Sequence, residues 1–257
     1  MKRVFKIIGL ISLTCFSFFI TEKTSVVVKN MDDIMISIKE NMDNFKTKSI
    51  DATIIDNTII PGISGRKVNI NKSYKKMKEY GKYNEDLYVF DYIKPNISLS
   101  DNKDKIITNI NSKKRMVSLI FLLDDNDPTD VLNIVNNYNI KANFFIKDKI
   151  DINLKPHNIG IVSNDYSNIE WLKMITKDKY CLSSEDNKPC IDNDLYLIKP
   201  FYVSSNTPLL DVKNNLDNNR ILLFTVNKTL KRELPNIIIY IKSKGYTITN
   251  LDNSVLE

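Results

Sequence analysis

The segment Ser118-Leu119-Ile120-Phe121-Leu122-Leu123 is apolar at almost every position, with no polar residue returning at every second place. A strand with one face in water alternates. A strand without alternation needs cover on both faces, as in a parallel sheet flanked by helices. Six further runs read as strands, at 141–146, 158–162, 180–183, 195–198, 221–226 and 246–251. Apolar residues at helical spacing lie at 129–138, 168–176, 209–216 and 233–242. Seven strands interleaved with helices predict an α/β domain over 112–257, either an α/β barrel or an open α/β sheet. In both, sites assemble beyond the C-terminal ends of the strands.

Ahead of this domain, Lys2, Arg3 and Lys6 precede an uncharged apolar run from Ile7 to Ile20. At about 1.5 Å per residue that run spans about 21 Å, and counting from Val4 with a snorkelling Lys6 brings it closer to the ~30 Å hydrocarbon core. Such a pattern marks a signal peptide or an uncleaved signal anchor. Thr21-Glu22-Lys23 offers no small-residue cleavage site, so residues 1–21 are expected to anchor the chain with its basic end inside. The expected location is the cell membrane, single-pass, with the remainder outside the cytoplasm; a secreted protein is the alternative. Over 22–48, Val27, Met31, Ile34, Met35, Ile38, Met42 and Phe45 recur at steps of three and four, predicting a juxtamembrane amphipathic helix. Residues 49–111 predict a small α+β module. It has a strand–turn–strand around Asp56-Asn57, a helix at 71–80 ended by Gly81, a strand near 87–93, and positive φ at Gly62 and Gly65.

The net charge of +6 is partly terminal: from residue 21 onward 34 basic residues face 31 acidic ones. The runs Lys75-Lys76-Met77-Lys78 and Lys113-Lys114-Arg115 read as solvated surface, and nucleic acid is not expected as a partner. His157 is the single histidine. Any site needing two histidines is therefore excluded, and any Ser–His or Cys–His triad must run through His157. Cys181 and Cys190 flank a polar stretch and, outside the cytoplasm, either close a small disulfide loop or remain two thiols.

Two stretches carry a family resemblance. Val117-Ser118-Leu119-Ile120-Phe121, with Ile140-Lys141-Ala142-Asn143-Phe144-Phe145-Ile146 after the intervening helix, is similar to V-x-L-T-F-D-D-G-P and K-A-T-F-F of the polysaccharide deacetylases, carbohydrate esterase family four. Leu234-Pro235-Asn236-Ile237-Ile238 and Lys242-Ser243-Lys244-Gly245-Tyr246 resemble that family's L-P-x-I-I and L-K-x-K-G-Y. The resemblance covers about residues 112–257 and implies a distorted (β/α) barrel of about seven strands. It also implies removal of N- or O-acetyl groups from glycans. A divalent metal held by one Asp and two His polarises the carbonyl there, while a neighbouring Asp acts as base.

The chemistry-bearing positions depart from that pattern. Leu122 and Leu123 stand where the Asp pair belongs, and only a two-residue shift brings Asp124 and Asp125 there. Within Pro156-His157-Asn158-Ile159-Gly160-Ile161-Val162, His157 matches a non-ligand histidine, while Val162 and Tyr166 match the two metal ligands. Lys199-Pro200-Phe201-Tyr202 matches R-P-P-Y-G, and Leu222-Leu223-Phe224-Thr225 lacks the histidine of L-L-x-H. No bound metal and no other cofactor is therefore expected. The candidate catalytic residues are Asp124 and Asp125. With Asp127 they either bind a hard cation or cap the helix that Asp127-Pro128-Thr129 begins. Lys199, Phe201 and Tyr202 either are glycan contacts or mark a strand end that packs its own aromatic, and Trp171 reads as core. The expectation is a catalytically degenerate, membrane-anchored domain that binds envelope glycan or an envelope protein. An active deacetylase remodelled around Asp124 and Asp125 is the alternative.

Overall fold

The computed structural model describes residues 13–14, 16–17, 24, 26–123, 127–148, 153–162, 166–177 and 179–255. Most of the expected anchor, 1–21, lies outside the described residues; among those described, no helix is long and apolar enough to cross a membrane. The chain forms two compact units, one of Met1–Lys48 with Gly65–Ile93, the other of Ser49–Ser64 with Lys94–Glu257.

In the smaller unit, helix α1 (Asp33–Asn41) starts at Asp32, whose carboxylate accepts the Ile34 N–H. The turn at Met31–Asp32 breaks the single helix expected over 22–48. Met35 and Ile38 of α1 are buried, and Ile38 shares a core with Val68, Met77 and Tyr88. These residues thus belong to a folded unit. Helix α2 (Ile70–Tyr80) is capped by the Asn69 side chain, and Gly81 (φ 93°) closes it in the left-handed region. A two-stranded antiparallel ribbon, Gly65–Val68 with Phe90–Ile93, completes the unit. Positive φ falls at Gly81 and Gly245 rather than at Gly62 and Gly65, and Gly65 is simply the first residue of a ribbon strand.

The larger unit is built on one sheet of eleven strands: β1 (Thr53–Ile55), β2 (Thr58–Ile60), β3 (Ile106–Ile107), β4 (Met116–Leu123), β5 (Asn143–Ile146), β6 (Asn158–Ile161), β7 (Tyr180–Leu182), β8 (Tyr196–Ile198), β9 (Phe201–Tyr202), β10 (Ile221–Thr225) and β11 (Thr247–Thr249). The order is β1-β2-β3-β8-β7-β6-β5-β4-β10-β9, with β11 on β4. Only the β1–β2 hairpin is antiparallel. β8 and β9 lie far apart in this order, yet only Lys199-Pro200 joins them. Pro200 has no N–H to continue a ladder, so one strand bends and changes partners there. The sheet thereby curls round instead of lying open.

The seven expected strands are all present, and the hairpin expected around Asp56-Asn57 joins the same sheet as β1 and β2; β3 and β9 are additional. Residues 49–111 do not form a module of their own. Ala52, Ile59, Leu99, Ile107 and Ile110 pack into the inner core of the large unit, which binds 49–64 and 94–111 to the sheet. Helices α3 (Thr129–Asn137), α4 (Tyr166–Ile175), α5 (Lys188–Asp192), α6 (Pro208–Asn215) and α7 (Lys228–Ser243) follow strands. Val131, Val135, Leu230, Leu234, Ile237, Ile238 and Ile241 cover the outer face formed by Leu119, Phe121, Phe144, Leu222 and Phe224. β4 is thus buried on both sides, as its unbroken apolar run requires.

Candidate functional site

Parallel pairing brings the C-terminal ends of β4 to β8 and β10 to one rim. Residues paired side by side share a face, so two-residue periodicity assigns each side chain. Leu119, Phe121 and Leu123 belong to the outer core; Ile120 belongs to the inner one, and Leu122 packs against it. Val162, just past β6, packs against the same inner cluster of Phe145, Tyr180, Leu182, Ile198 and Leu223. The positions matching a catalytic carboxylate and a metal histidine therefore hold partly buried hydrocarbon side chains packed against an apolar core.

Phe145 fills the space between them. A Cβ placed on Gly160 would lie 2.5 Å from the Phe145 ring, so the ring seats directly over the bare backbone of the neighbouring strand. Leu123, at the other Asp position, is buried on the helix side. Tyr166, at the second histidine position, is 50% exposed, and its hydroxyl donates to Asp192 at 3.2 Å. Partial burial and the Asp192 carboxylate hold that phenol above its ordinary pKa, hence neutral.

Asp124 and Asp125 lie outside the described residues. Asp127 accepts both the backbone N–H and the hydroxyl of Thr129, bonds that hold its carboxyl below the usual range. It is a capping group at the start of α3. Lys199 is exposed, and its backbone N–H donates to the Ile107 carbonyl. Phe201 packs on the outer core beneath the Arg220 guanidinium, 5.1 Å from the ring centroid. Tyr202 pairs with Leu223 and so stands on the inner face; it is 56% exposed, and burial of its hydroxyl raises its pKa. The structure therefore gathers Leu122, Val162 and Tyr202 on one face and turns Phe201 away.

His157 is buried at the opposite end of β6. Its Nδ1 accepts the Ala142 N–H at 3.2 Å, so Nε2 carries the proton and donates to Asn136 Oδ1 at 3.0 Å. Burial and nearby Lys141 lower its pKa. With both ring nitrogens engaged in neutral form, it is a structural histidine. Trp171 packs against the outer core, as expected. Cys181 and Cys190 are buried and joined by a disulfide.

A buried polar network lies at this same N-terminal end. Asn143 donates to Ser118 Oγ and the Leu119 carbonyl and accepts the Leu251 N–H. Asp252 accepts from Asn158 Nδ2 and the Tyr180 hydroxyl, both at 2.7 Å. Nothing in Asn type or spacing marks these residues, since the chain holds 32 asparagines.

The described residues at the positions that match the family's ligands, Leu122, Leu123, Val162 and Tyr166, do not fit a divalent metal. Leucine and valine offer no lone pair, and neutral Tyr166 is already bonded to Asp192. Among the described residues, no group of three His, Cys, Asp or Glu side chains is placed to hold an ion.

No protein-family model matches the chain. Ninety residues, 34% of the chain, are 39% identical to the uncharacterized protein YlxY of Bacillus subtilis and cover 28% of its length, well under two thirds of that relative. Among solved structures, wild-type BA3943 of Bacillus anthracis, a CE4 family pseudoenzyme, is similar at a TM-score of 0.60 and 18% identity, over 88% of this chain and 96% of that one. A BA3943 mutant with restored enzymatic activity is similar at the same TM-score and identity, over 88% and 98%. At this identity the likeness establishes the fold.

Proposed function

We propose that this chain, whose fold is that of CE4 family proteins, is a catalytically silent deacetylase-like protein of the cell envelope. In this reading the N-terminal apolar run holds it in the membrane, and the rim of the curled sheet binds envelope glycan or an envelope protein outside the cytoplasm. One observation carries the proposal: Leu122 and Val162, partly buried, both pack against a single apolar core at the positions where the resemblance places a carboxylate and an imidazole.

The chemistry follows from that core. Hydrolysis of an acetyl group needs a Lewis acid on the carbonyl, a water of lowered pKa and a base to take its proton. Leu122 has no proton acceptor, Val162 no electron pair, and Tyr166 keeps its proton. What remains at the rim is a surface for binding. Tyr202 presents a half-exposed ring, and Lys199 an exposed ammonium, to a neighbouring polyhydroxylated chain.

The test is to incubate the purified chain with chitooligosaccharides and peptidoglycan in the presence of zinc, cobalt or nickel. No acetate release and no stoichiometric metal are expected, while isolated cell-wall glycan is retained and Tyr202→Ala weakens retention several-fold. Acetate release that disappears in Asp124→Asn/Asp125→Asn would replace this reading with that of an active, remodelled deacetylase. Protease added to intact spheroplasts should digest the chain beyond residue 45; full protection would reverse the topology.

A further inference from the structure

The two compact units differ in charge. Ser49–Ser64 with Lys94–Glu257 holds 22 basic and 22 acidic residues, whereas Met1–Lys48 with Gly65–Ile93 holds 15 and 9. The whole net charge of +6 therefore sits in the unit that also contains the apolar run.

Helix α2 concentrates that charge on one side. Ser73 and Met77 are buried, and Tyr74 packs with them toward the small core. Lys78 pairs with Asp32 at 2.6 Å. On the opposite side Lys72, Lys75 and Lys76 are exposed, and among the described residues none of them makes an ion pair or a side-chain hydrogen bond. Glu79 is the one acidic side chain on that face. Lys72, Lys76 and Tyr80 follow at intervals of four and so form a single row. Tyr80 is 56% exposed, with the Lys82 ammonium 5.9 Å from its ring centroid.

We infer that this face of α2 lies on a membrane surface, its lysines against anionic lipid headgroups and Tyr80 in the interfacial layer; the inference rests on the membrane-anchored reading above. Basic side chains near an anionic leaflet gain roughly 1 kcal/mol each, and tyrosine prefers the headgroup level because one end of its ring is apolar and the other polar. A dissolved polyanion would engage the ammonium groups but give an exposed phenol nowhere to partition. The apolar run in the same unit keeps α2 close to lipid, so the weak contribution of each lysine acts at high local concentration.

The full chain is reconstituted into vesicles of phosphatidylcholine alone or mixed with phosphatidylglycerol, floated, and labelled with acetic anhydride for mass spectrometry. The expected result is flotation with both, and several-fold slower acetylation of Lys72, Lys75 and Lys76 in the anionic vesicles only, reversed by salt. Lys173, Lys177 and Lys179 of the other unit should label equally in both. Flotation with equal labelling of α2 overturns the inference and leaves the anchor standing. Flotation with neither overturns both. Flotation with anionic vesicles alone, lost in Lys72→Glu/Lys75→Glu/Lys76→Glu, supports the inference and refutes the anchor. Protection by soluble polyphosphate but not by vesicles overturns the inference in favour of a polymeric partner.

Discussion

Along the inner face of the curled sheet, polarity changes within one repeat of the strand. At the level where Ile120 pairs with Asn143 and Asn143 with Asn158, the interior is wired by amides, a carboxylate and a phenol. Two residues on, about 6.6 Å at strand spacing, Leu122, Phe145 and Gly160 lie side by side with no side-chain donor or acceptor among them, and Tyr180, paired with Gly160, ends that row with its hydroxyl on Asp252. Parallel α/β folds normally keep reactive groups at the second level and packing at the first. Here the arrangement is the other way round. A buried polar group is stable only when its partners are fixed, and each group at the N-terminal end is bonded to another element of the unit. These side chains stitch strands together, while Leu122 and Phe145, one repeat further along, present only hydrocarbon.

The sharpest way to break this contrast is Asn143→Ala. Asn143 is fully buried, and its loss leaves the Leu251 N–H and the Leu119 carbonyl without the bonds it supplies. Urea unfolding should show a loss of about 3 kcal/mol; a change within error would mean that the polar end is ornamental. Gly160→Ala probes the apolar level. The added methyl meets the Phe145 ring and should cost about 2 kcal/mol by overpacking. Adding Phe145→Leu to that variant should recover most of the loss, and a double mutant no better than the single would show that the ring is not what the glycine accommodates.

The smallest effect is in pH. Burial depresses the His157 pKa, so the unfolded chain binds the proton more readily than the folded one. The stability His157 supplies is complete above its unfolded value of about 6.5 and is lost as pH falls below it toward the folded pKa. Thermal melts of His157→Gln should show a shallower decline over that interval than wild type, and parallel profiles would assign the decline to other groups.

Much of the fold was legible. β4 and β10 announce themselves as long apolar runs and β5 as Phe144-Phe145-Ile146, and α3 and α6 by spacing. Where the pattern was weaker the reading fell short. α7 begins at Lys228, five residues before the expected start, because Pro235 inside the helix masks the signal while Asn227 caps it by accepting the Leu230 N–H. β3 and β9 are two residues each, too short to show periodicity, and only long-range pairing makes them strands. The site was legible as substitutions: Leu122 and Val162 stand out once the resemblance supplies a register. The Asn143 and Asp252 network was not, because a bonded asparagine and a solvated one look identical in a sequence this rich in them.

The pairing of β4 has a consequence for how the domain is made. β5 and β11 occupy the same edge of β4 end to end, β11 along Met116 to Ser118 and β5 from Ile120 onward. The central strand therefore gains its last neighbour about 130 residues after it leaves the ribosome. Asn143, which ties the end of that late segment to the middle of the sheet, has no Leu251 N–H to bind until then. Contacts this distant in sequence slow folding and leave hydrophobic edges open while they wait. A nascent chain of this design leaves the Met116–Ser118 stretch of that β4 edge and the Asn143 side-chain oxygen without these partners until Thr247–Leu251 has been made.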